Sequence, residues 1–160
     1  MKVLVLGLGN DLYGDDGVGL HAVRMLEKGW IAGLPVNENS GRADFEACVL
    51  SGIALLDVVV GYDALLIIDT ILKPDPVTGK VRIIDGSEVR DVPGPSPHYV
   101  SIPQALAIGR ALGLKVPEKV KIVAVEAKDL FTLGEGLSAD MRAALPDVVA
   151  AARGILDELA

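Results

Sequence analysis

The chain contains several short apolar runs with the composition of buried strands. Three of them, residues 2–6, 64–69 and 120–125, are rich in Val, Ile or Leu and show no polar alternation, as expected of strands covered on both faces. A fourth run at 81–84 follows a turn signal rich in Pro and Gly, and residues 47–50 form a fifth candidate. The pattern therefore predicts five strands.

Helical periodicity fills the intervals between these strands. The pattern predicts helices over residues 18–28, 53–60, 103–114 and 141–159. Ser101 is the expected cap of the third helix, and Pro103 is expected in its first turn, where a missing N–H costs nothing. Pro146 interrupts the last helix, so we expect a kink or a restart there.

The alternation of strands and helices indicates the α/β class, with a mainly parallel sheet covered on both faces. One connection differs from the rest. Only eleven residues separate residue 69 from residue 81, and they include two prolines and a glycine. This segment is too short for a crossover helix, so the strand at 81–84 is predicted to run antiparallel to the others. No repeat or linker divides the chain, and we expect one domain over residues 1–160.

The composition of the chain argues against some classes of binding partner. The net charge is -7 at pH 7 and the chain has no basic block. Phosphate backbones and anionic lipids would meet a repulsive field, which argues against nucleic acid and membrane partners. The single cysteine, Cys48, excludes an internal disulfide, and neither a signal-peptide pattern nor an apolar run of about 20 residues is present. We expect a soluble, cytoplasmic protein.

Candidate chemistry begins between the first strand and the first helix, in the segment Gly7-Leu-Gly-Asn-Asp-Leu-Tyr-Gly-Asp-Asp-Gly-Val-Gly19. Open α/β sheets place ligands at such positions, and Asp16 can either cap the helix or point into the crevice. Gly7 and Gly9 match part of a dinucleotide-binding loop. However, Leu12 replaces the third glycine, and three aspartates would repel a pyrophosphate. A nucleotide-binding enzyme is therefore the weaker alternative.

Two further residues are candidates for the same edge of the sheet. Asp69 ends the second apolar run, and His98 follows a proline-rich segment that restricts the loop and holds the imidazole at low entropic cost. With Asp16 they would supply two carboxylates and an imidazole to one solvent-accessible cleft. That set suits a divalent metal such as nickel, zinc, cobalt or manganese. Each residue also has a structural alternative: a helix cap, a strand terminator and a packed or surface histidine.

These segments together resemble the hydrogenase maturation endopeptidases. Residues 7–19 are similar to the first motif of that family, Leu65-Leu-Ile-Ile-Asp69 to its second and Ser96-Pro-His98 to its third. Ile122-Val-Ala-Val-Glu126 and Gly136-Leu-Ser138 resemble its C-terminal stretch. The similarity covers nearly the whole chain in one order. It implies a three-layer α/β/α sandwich with a mainly parallel five-stranded sheet and one antiparallel strand.

The resemblance also implies an activity, the removal of a C-terminal extension from the large-subunit precursor of a nickel-iron hydrogenase after nickel insertion. By correspondence, Asp16, Asp69 and His98 are the expected catalytic residues and the expected metal ligands. Nickel is the expected ion, carried by the substrate and sensed rather than permanently bound. The expected partners are the precursor and its C-terminal tail, and we expect a monomer or small homo-oligomer.

Asn10, Ser51 and Gly52 are the expected substrate-binding residues. Ser51 and Gly52 lie where the family carries a loop with several glycines and a threonine, which this chain replaces by residues 49–54 with a single glycine. The replacement leaves a second hypothesis, a metal-dependent docking module that binds a hydrogenase subunit without cutting it.

Two mechanisms are compatible with the expected site. In one, the three residues bind the nickel of the precursor, so that only loaded substrate docks. In the other, one carboxylate activates water as a general base while its partner or a metal polarises the scissile carbonyl. The chain has no Gly-x-Ser-x-Gly motif and no Cys/His nucleophile motif, which argues against a covalent route. The peptidase is then either aspartic-type or metal-dependent.

Overall fold

The computed structural model of the protein describes residues 1–31, 43–50, 53–91 and 97–160. Its strands are β1 (Val3–Leu8), β2 (Ala43–Cys48), β3 (Ala64–Ile71), β4 (Val81–Asp85) and β5 (Lys119–Glu126). Its α-helices are α1 (Val18–Ile31), α2 (Ala54–Val59), α3 (Pro97–Ala111) and α4 (Ala139–Leu159). Two 3-10 helices cover Gly14–Gly17 and Gly86–Asp91.

These five strands form one sheet in the order β2-β1-β3-β5-β4. β1 pairs in parallel with both β2 and β3, and β3 pairs in parallel with β5. β4 pairs antiparallel with β5, and Ile83 lies opposite Val123. The short connection between β3 and β4 had predicted this direction. The prediction of a mainly parallel five-stranded sheet with one antiparallel strand is confirmed.

Helices cover both faces of this sheet, and the alternation of side chains along each strand separates two cores. In β3, Leu66 and Ile68 belong to the core that contains α1 and α4. Leu65 and Ile67 belong to the core that contains α2 and α3. All eight residues of β3 are buried, because the strand has a neighbour on each side and helices on both faces. The three-layer α/β/α sandwich is confirmed.

β2 lies at one edge of the sheet, and its bounds differ from the prediction. The strand covers Ala43–Cys48 and not residues 47–50. Asp44 breaks the apolar pattern. Its carboxylate accepts a hydrogen bond from the Tyr62 hydroxyl at 2.9 Å and lies 3.5 Å from Lys2 Nζ. Because an edge strand has one neighbouring strand and a partly solvated surface, it accommodates such polar residues.

α3 begins six residues earlier than predicted, at Pro97, and contains Pro103 within the helix. The sequence had indicated a start at Pro103 with Ser101 as its cap. A proline inside a helix removes one backbone hydrogen bond but does not prevent the helix from continuing. The end of α3 is set by Gly113, whose φ of +73° is the left-handed conformation that commonly closes a last turn.

α4 is one helix of 21 residues that contains Pro146, so the predicted restart does not occur. It begins after Ser138, whose hydroxyl oxygen accepts the N–H of Met141 at 3.2 Å and caps the first turn. Among the helices of the described residues, none is long and apolar enough to cross a bilayer.

A buried carboxylate at the end of β5 fastens the connection between β3 and β4. Glu126 has no exposed surface. Its Oε1 accepts the N–H of Val77 at 3.1 Å and lies 3.7 Å from Lys73 Nζ, while its Oε2 lies 3.2 Å from Arg82 Nε. Burial alone would raise the pKa of Glu126. The hydrogen bonds and the two positive charges outweigh burial and hold the pKa below its ordinary value of 4.5.

Replacing Glu126 with Gln should lower the free energy of unfolding at neutral pH by roughly 1.5–3 kcal/mol, the range for hydrogen bonds to charged groups. A carboxyl whose pKa is lower in the folded state stabilises the fold above its unfolded pKa, and the contribution is lost as the pH falls through the folded value. The difference between wild type and variant should therefore be full near neutrality and shrink on acidification.

Urea unfolding at a series of pH values measures this difference. Glu27→Gln is the matched control, because Glu27 lies on the exposed side of α1. It should change stability little at any pH. A difference for Glu126→Gln that stays constant from neutral to acidic pH would contradict the role of the carboxylate charge.

Candidate active site at the carboxyl edge of the sheet

After β1 the chain turns back and packs closely against the carboxyl ends of the parallel strands. Glycine residues permit this close packing. A Cβ at Gly19 would overlap the carbonyl oxygens of Leu8 and Ile68, and a Cβ at Gly7 would overlap the carbonyl oxygen of Gly19. The first turn of α1 therefore rests directly on the backbones of β1 and β3, with no side chain between them.

Asp16 lies in the 3-10 helix that precedes α1, and only 8% of its surface is exposed. Its Oδ2 accepts a hydrogen bond from the Asn10 N–H at 2.9 Å. Its Oδ1 accepts one from the Thr70 hydroxyl, also at 2.9 Å. Neither donor belongs to the first turn of α1, so Asp16 does not serve as the cap of that helix. The carboxylate instead joins the loop after β1 to β3.

Asp69 lies within β3 and does not end it. The strand continues to Ile71, and Asp69 has no exposed surface. The expectation that Asp69 terminates its strand and faces a solvent-accessible cleft is therefore corrected. Its Oδ1 accepts the Thr70 N–H at 2.8 Å. Because side chains alternate along a strand, Asp69 points to the face that α2 and α3 cover.

Thr70 is the site residue that the sequence reasoning missed. It is fully buried. Its hydroxyl reaches Asp16 on the α1 side of the sheet, and its N–H bonds Asp69, which points to the other side. The two candidate carboxylates thus share one residue as their hydrogen-bond donor. The sequence feature that could have identified Thr70 is its polar side chain, next to Asp69 in an otherwise apolar strand.

The other predicted site residues are described only in part. His98 lies in the first turn of α3, and its side chain is outside the described structure. Ser51 and Gly52 lie outside the described residues altogether. α3 has 15 residues, a length of about 22 Å, and leads to the amino end of β5. Its first turn therefore lies towards the carboxyl edge. The assembly of Asp16, Asp69 and His98 stays a prediction.

Among the described side chains, no group of three or more His, Cys, Asp or Glu residues is placed to hold a metal ion. A carboxylate oxygen has two acceptor positions, so an oxygen that accepts one hydrogen bond keeps another. Asp16 can therefore still contribute oxygen ligands. The further ligands that a nickel or zinc ion requires would come from His98, from water or from the molecule that carries the ion.

Asn10 shapes the loop after β1. Besides its N–H bond to Asp16, its Oδ1 accepts the N–H of Leu12 at 3.0 Å, and its carbonyl oxygen accepts the N–H of Tyr13 at 3.1 Å. Such side-chain-to-backbone turns fix the local chain direction. All of these contacts lie within the loop itself and do not test substrate binding. The assignment of Asn10 to substrate binding stays a prediction.

A second clamp joins this loop to the connection between β5 and α4. Asp15 accepts the N–H and the hydroxyl of Ser138 at 2.7 and 2.8 Å, and the Gly14 N–H bonds the Gly134 carbonyl at 2.8 Å. The same Ser138 caps α4, so the clamp ties the loop to a long helix. The clamped loops expose large apolar side chains: Leu12, Phe131 and Leu133.

Cys48 ends β2 beside the same loop, and its carbonyl oxygen accepts the Gly9 N–H at 3.3 Å. Burial raises the pKa of the Cys48 thiol above its ordinary value of 9.0, and the N–H of Leu50, which donates to the sulfur, opposes this only in part. Since the thiolate is the nucleophilic form, Cys48 is unsuited to covalent catalysis.

The described structure is thus a mixed α/β/α sandwich with two buried carboxylates, Asp16 and Asp69, near the carboxyl edge of its parallel strands. The sequence model described as "HycI: Hydrogenase maturation protease" matches residues 50–155. The chain is 30% identical over 158 residues to the hydrogenase 2 maturation protease of Escherichia coli strain K12, covering 96% of this chain and 92% of that protein.

Two further relatives agree. The hydrogenase expression/formation protein HupD of Rhizobium leguminosarum bv. viciae is 27% identical over 161 residues, covering 97% of this chain and 74% of that protein. The solved structure of the hydrogenase maturating endopeptidase HybD from E. coli matches with a TM-score of 0.77 and 26% identity, over 99% of this chain and 93% of that chain. The chain belongs to the hydrogenase maturation protease family and is a peptidase.

Gly19→Ala should destabilise the protein by roughly 1–3 kcal/mol, as overpacking does, because the added methyl group meets two backbone carbonyls that have no rotamer to escape into. It should also move Asp16 away from β3 and reduce peptidase activity more than the loss of folded protein explains. Thermal unfolding and cleavage of a hydrogenase precursor, both measured where the variant is still folded, test this.

Gly29→Ala is the matched control in the same helix, because a Cβ at Gly29 would meet nothing within 4 Å. It should be neutral or slightly stabilising, as expected for Ala replacing Gly in a helix. Equal stability of the two variants would contradict the close packing of α1 on the strands.

Proposed function

We propose that the protein is the endopeptidase that removes a C-terminal extension from the large-subunit precursor of a nickel-iron hydrogenase after nickel insertion. Family membership supports the reaction class. The structural observation that carries the proposal is the joining of Asp16 and Asp69 through Thr70 at the carboxyl edge of the sheet. Two carboxylates held together by a shared donor can bind a cation or transfer a proton.

In this proposal nickel belongs to the substrate and is recognised rather than retained. Asp16 and Asp69 offer carboxylate oxygens and His98 offers an imidazole nitrogen, a donor set that can bind nickel as well as zinc, cobalt or manganese. The hydrogen bonds from Asn10 and Thr70 orient the two carboxylates before any ion arrives, which lowers the entropic cost of binding. A precursor without nickel lacks this contact and is left uncut.

Hydrolysis adds water across one peptide bond of the extension, with the hydroxyl going to the carbonyl carbon and a proton to the leaving amine. One carboxylate of the pair accepts the proton of the water as general base and returns a proton to the amine as general acid. Asp16, at 8% exposed, is more accessible to arriving water than Asp69, at 0%. We therefore assign the proton transfer to Asp16.

The acidic loop also weighs against the alternative of nucleotide binding. A phosphate in a dinucleotide fold binds to backbone N–H groups of the loop after the first strand. Here the N–H of Asn10 is taken by the carboxylate of Asp16. Asp15, whose carboxylate bonds Ser138, adds a second negative charge beside the same position. An incoming phosphate would have to displace one carboxylate and approach another.

We further propose that the protein works in the cytoplasm, as a monomer or small homo-oligomer, on the precursor and its C-terminal tail. A single cysteine suits a reducing compartment. The net charge of -7 opposes binding to nucleic acid and to anionic lipid surfaces.

Incubating the protein with a nickel-loaded large-subunit precursor should produce a mass loss equal to the C-terminal extension, detected by intact-mass spectrometry. The nickel-free precursor should stay uncut. Asp69→Asn should reduce cleavage of the loaded precursor by about 10–100-fold or more, because it removes one carboxylate charge from the set that binds the nickel of the substrate. An Asn oxygen at position 69 can still accept the Thr70 N–H, so the fold should be retained.

Asp147→Asn, on the exposed side of α4, is the control and should cleave at the wild-type rate. Equal cleavage of loaded and nickel-free precursor would remove nickel recognition from the proposal and leave a plain general-base peptidase. Binding of the loaded precursor without any mass loss would instead identify the protein as a docking module.

Cys48→Ser should leave cleavage within about twofold of wild type, because the thiol takes no part in the reaction. Ser fills nearly the same volume and can still accept the Leu50 N–H, but it places a hydroxyl among apolar side chains, so we expect a loss of stability of about 1–3 kcal/mol. Precursor cleavage with and without a thiol-alkylating reagent measures the effect. Abolished cleavage in a folded Cys48→Ser protein would reinstate the covalent route.

A further inference from the structure

We propose that Thr70 is the positioning residue that sets the orientation of Asp16 relative to Asp69, and that its hydroxyl is required for the activity of the site. This inference rests on the proposed function for its activity measurement. Thr70 does not touch the substrate in this role, because it is fully buried in β3. It acts through the two carboxylates on either side of it.

Thr70 donates one hydrogen bond to each of the two carboxylates. The Thr70 hydroxyl carries one hydrogen, and Asp16 Oδ1 lies 2.9 Å away as its acceptor. The Thr70 N–H bonds Asp69 Oδ1 at 2.8 Å. A threonine that served only as a β-branched strand former would need no carboxylate partner, since valine has the same shape and no hydroxyl.

The two hydrogen bonds of Thr70 can be removed separately by substitution. The bond to Asp69 comes from the backbone, so every residue except proline at position 70 retains it. The bond to Asp16 comes from the side chain, so only a hydroxyl residue retains it. Thr70→Val removes the second bond while keeping the shape of the side chain, and Thr70→Ser keeps the bond while removing one methyl group.

Without the Thr70 hydroxyl, Asp16 would be held less firmly. Its other oxygen accepts the Asn10 N–H, and that single bond leaves the carboxylate free to rotate about the axis towards Asn10. With Thr70 in place, both oxygens are bonded and the plane of the carboxylate is fixed. Misplacement of a reacting group by about 1 Å can reduce a rate by about 10²-fold. The expected loss is therefore in the rate and not in the fold.

Thr70→Val should lower kcat for nickel-loaded precursor by about 10–100-fold. Thr70→Ser should recover activity to within about fivefold of wild type, because it restores the same bond. Leu66→Ala, in the same strand and also fully buried, is the stability control. Its cavity should lower the melting temperature while kcat per folded molecule stays at the wild-type level. Equal kcat for the Val and Ser variants would overturn the proposal.

A second readout does not depend on cleavage. In a proton–nitrogen NMR spectrum, the amide of Asn10 reports on the carboxylate of Asp16, to which it donates. Thr70→Val should shift this resonance clearly, and Thr70→Ser should leave it near the wild-type position. An unchanged Asn10 amide in Thr70→Val would overturn the positioning role. If wild type leaves the loaded precursor uncut, the proposed function fails, and the amide shift still decides whether Thr70 orients Asp16.

Discussion

The candidate site depends on one steric constraint, the direct contact between the first turn of α1 and the backbones of β1 and β3. Gly7 and Gly19 permit it, because any Cβ at either position would overlap a carbonyl oxygen. With a side chain in between, α1 would stand further from the sheet, and Asp16 could not reach the hydroxyl of Thr70 at 2.9 Å. Gly7 and Gly19 therefore fix the position of a carboxylate, and these glycines do not require a phosphate to explain them.

A second constraint is the period of two along β3. Asp69 and Thr70 are neighbours in sequence, and so their side chains point to opposite layers of the sandwich. Residues from the α1 layer and from the α2–α3 layer can meet only where the strands end and the sheet no longer separates them. Asp16 comes from the first layer, and His98 is carried by a helix of the second. A site that draws on both layers has to lie at the carboxyl edge.

The sequence predicted the elements that depend on local patterns. It placed the bounds of four strands within two residues, and it identified the antiparallel β4 from the length of one connection. It misplaced β2, whose edge position tolerates Asp44, and the start of α3, where a proline inside the helix resembled a proline at its beginning. Asp69 was predicted at the end of its strand and is instead buried within it. The apolar pattern of a strand does not show which hydrogen-bond donors a carboxylate will contact in the fold. Thr70 was missed for the same reason: a hydrogen-bond partner 54 residues away leaves no periodic signal.

Asp15 and Asp16 are neighbours in sequence, but their carboxylates bind different parts of the structure, which one carboxylate could not do. Asp15 bonds the N–H of Ser138 at the start of α4, where the helix dipole favours negative charge. Asp16 bonds donors from the loop and from β3. Each negative charge therefore has its own N–H or O–H donors, which offsets the repulsion between adjacent carboxylates. Asp15 fixes the loop against a long helix, and Asp16 is thereby kept in place with acceptor positions available for the reaction.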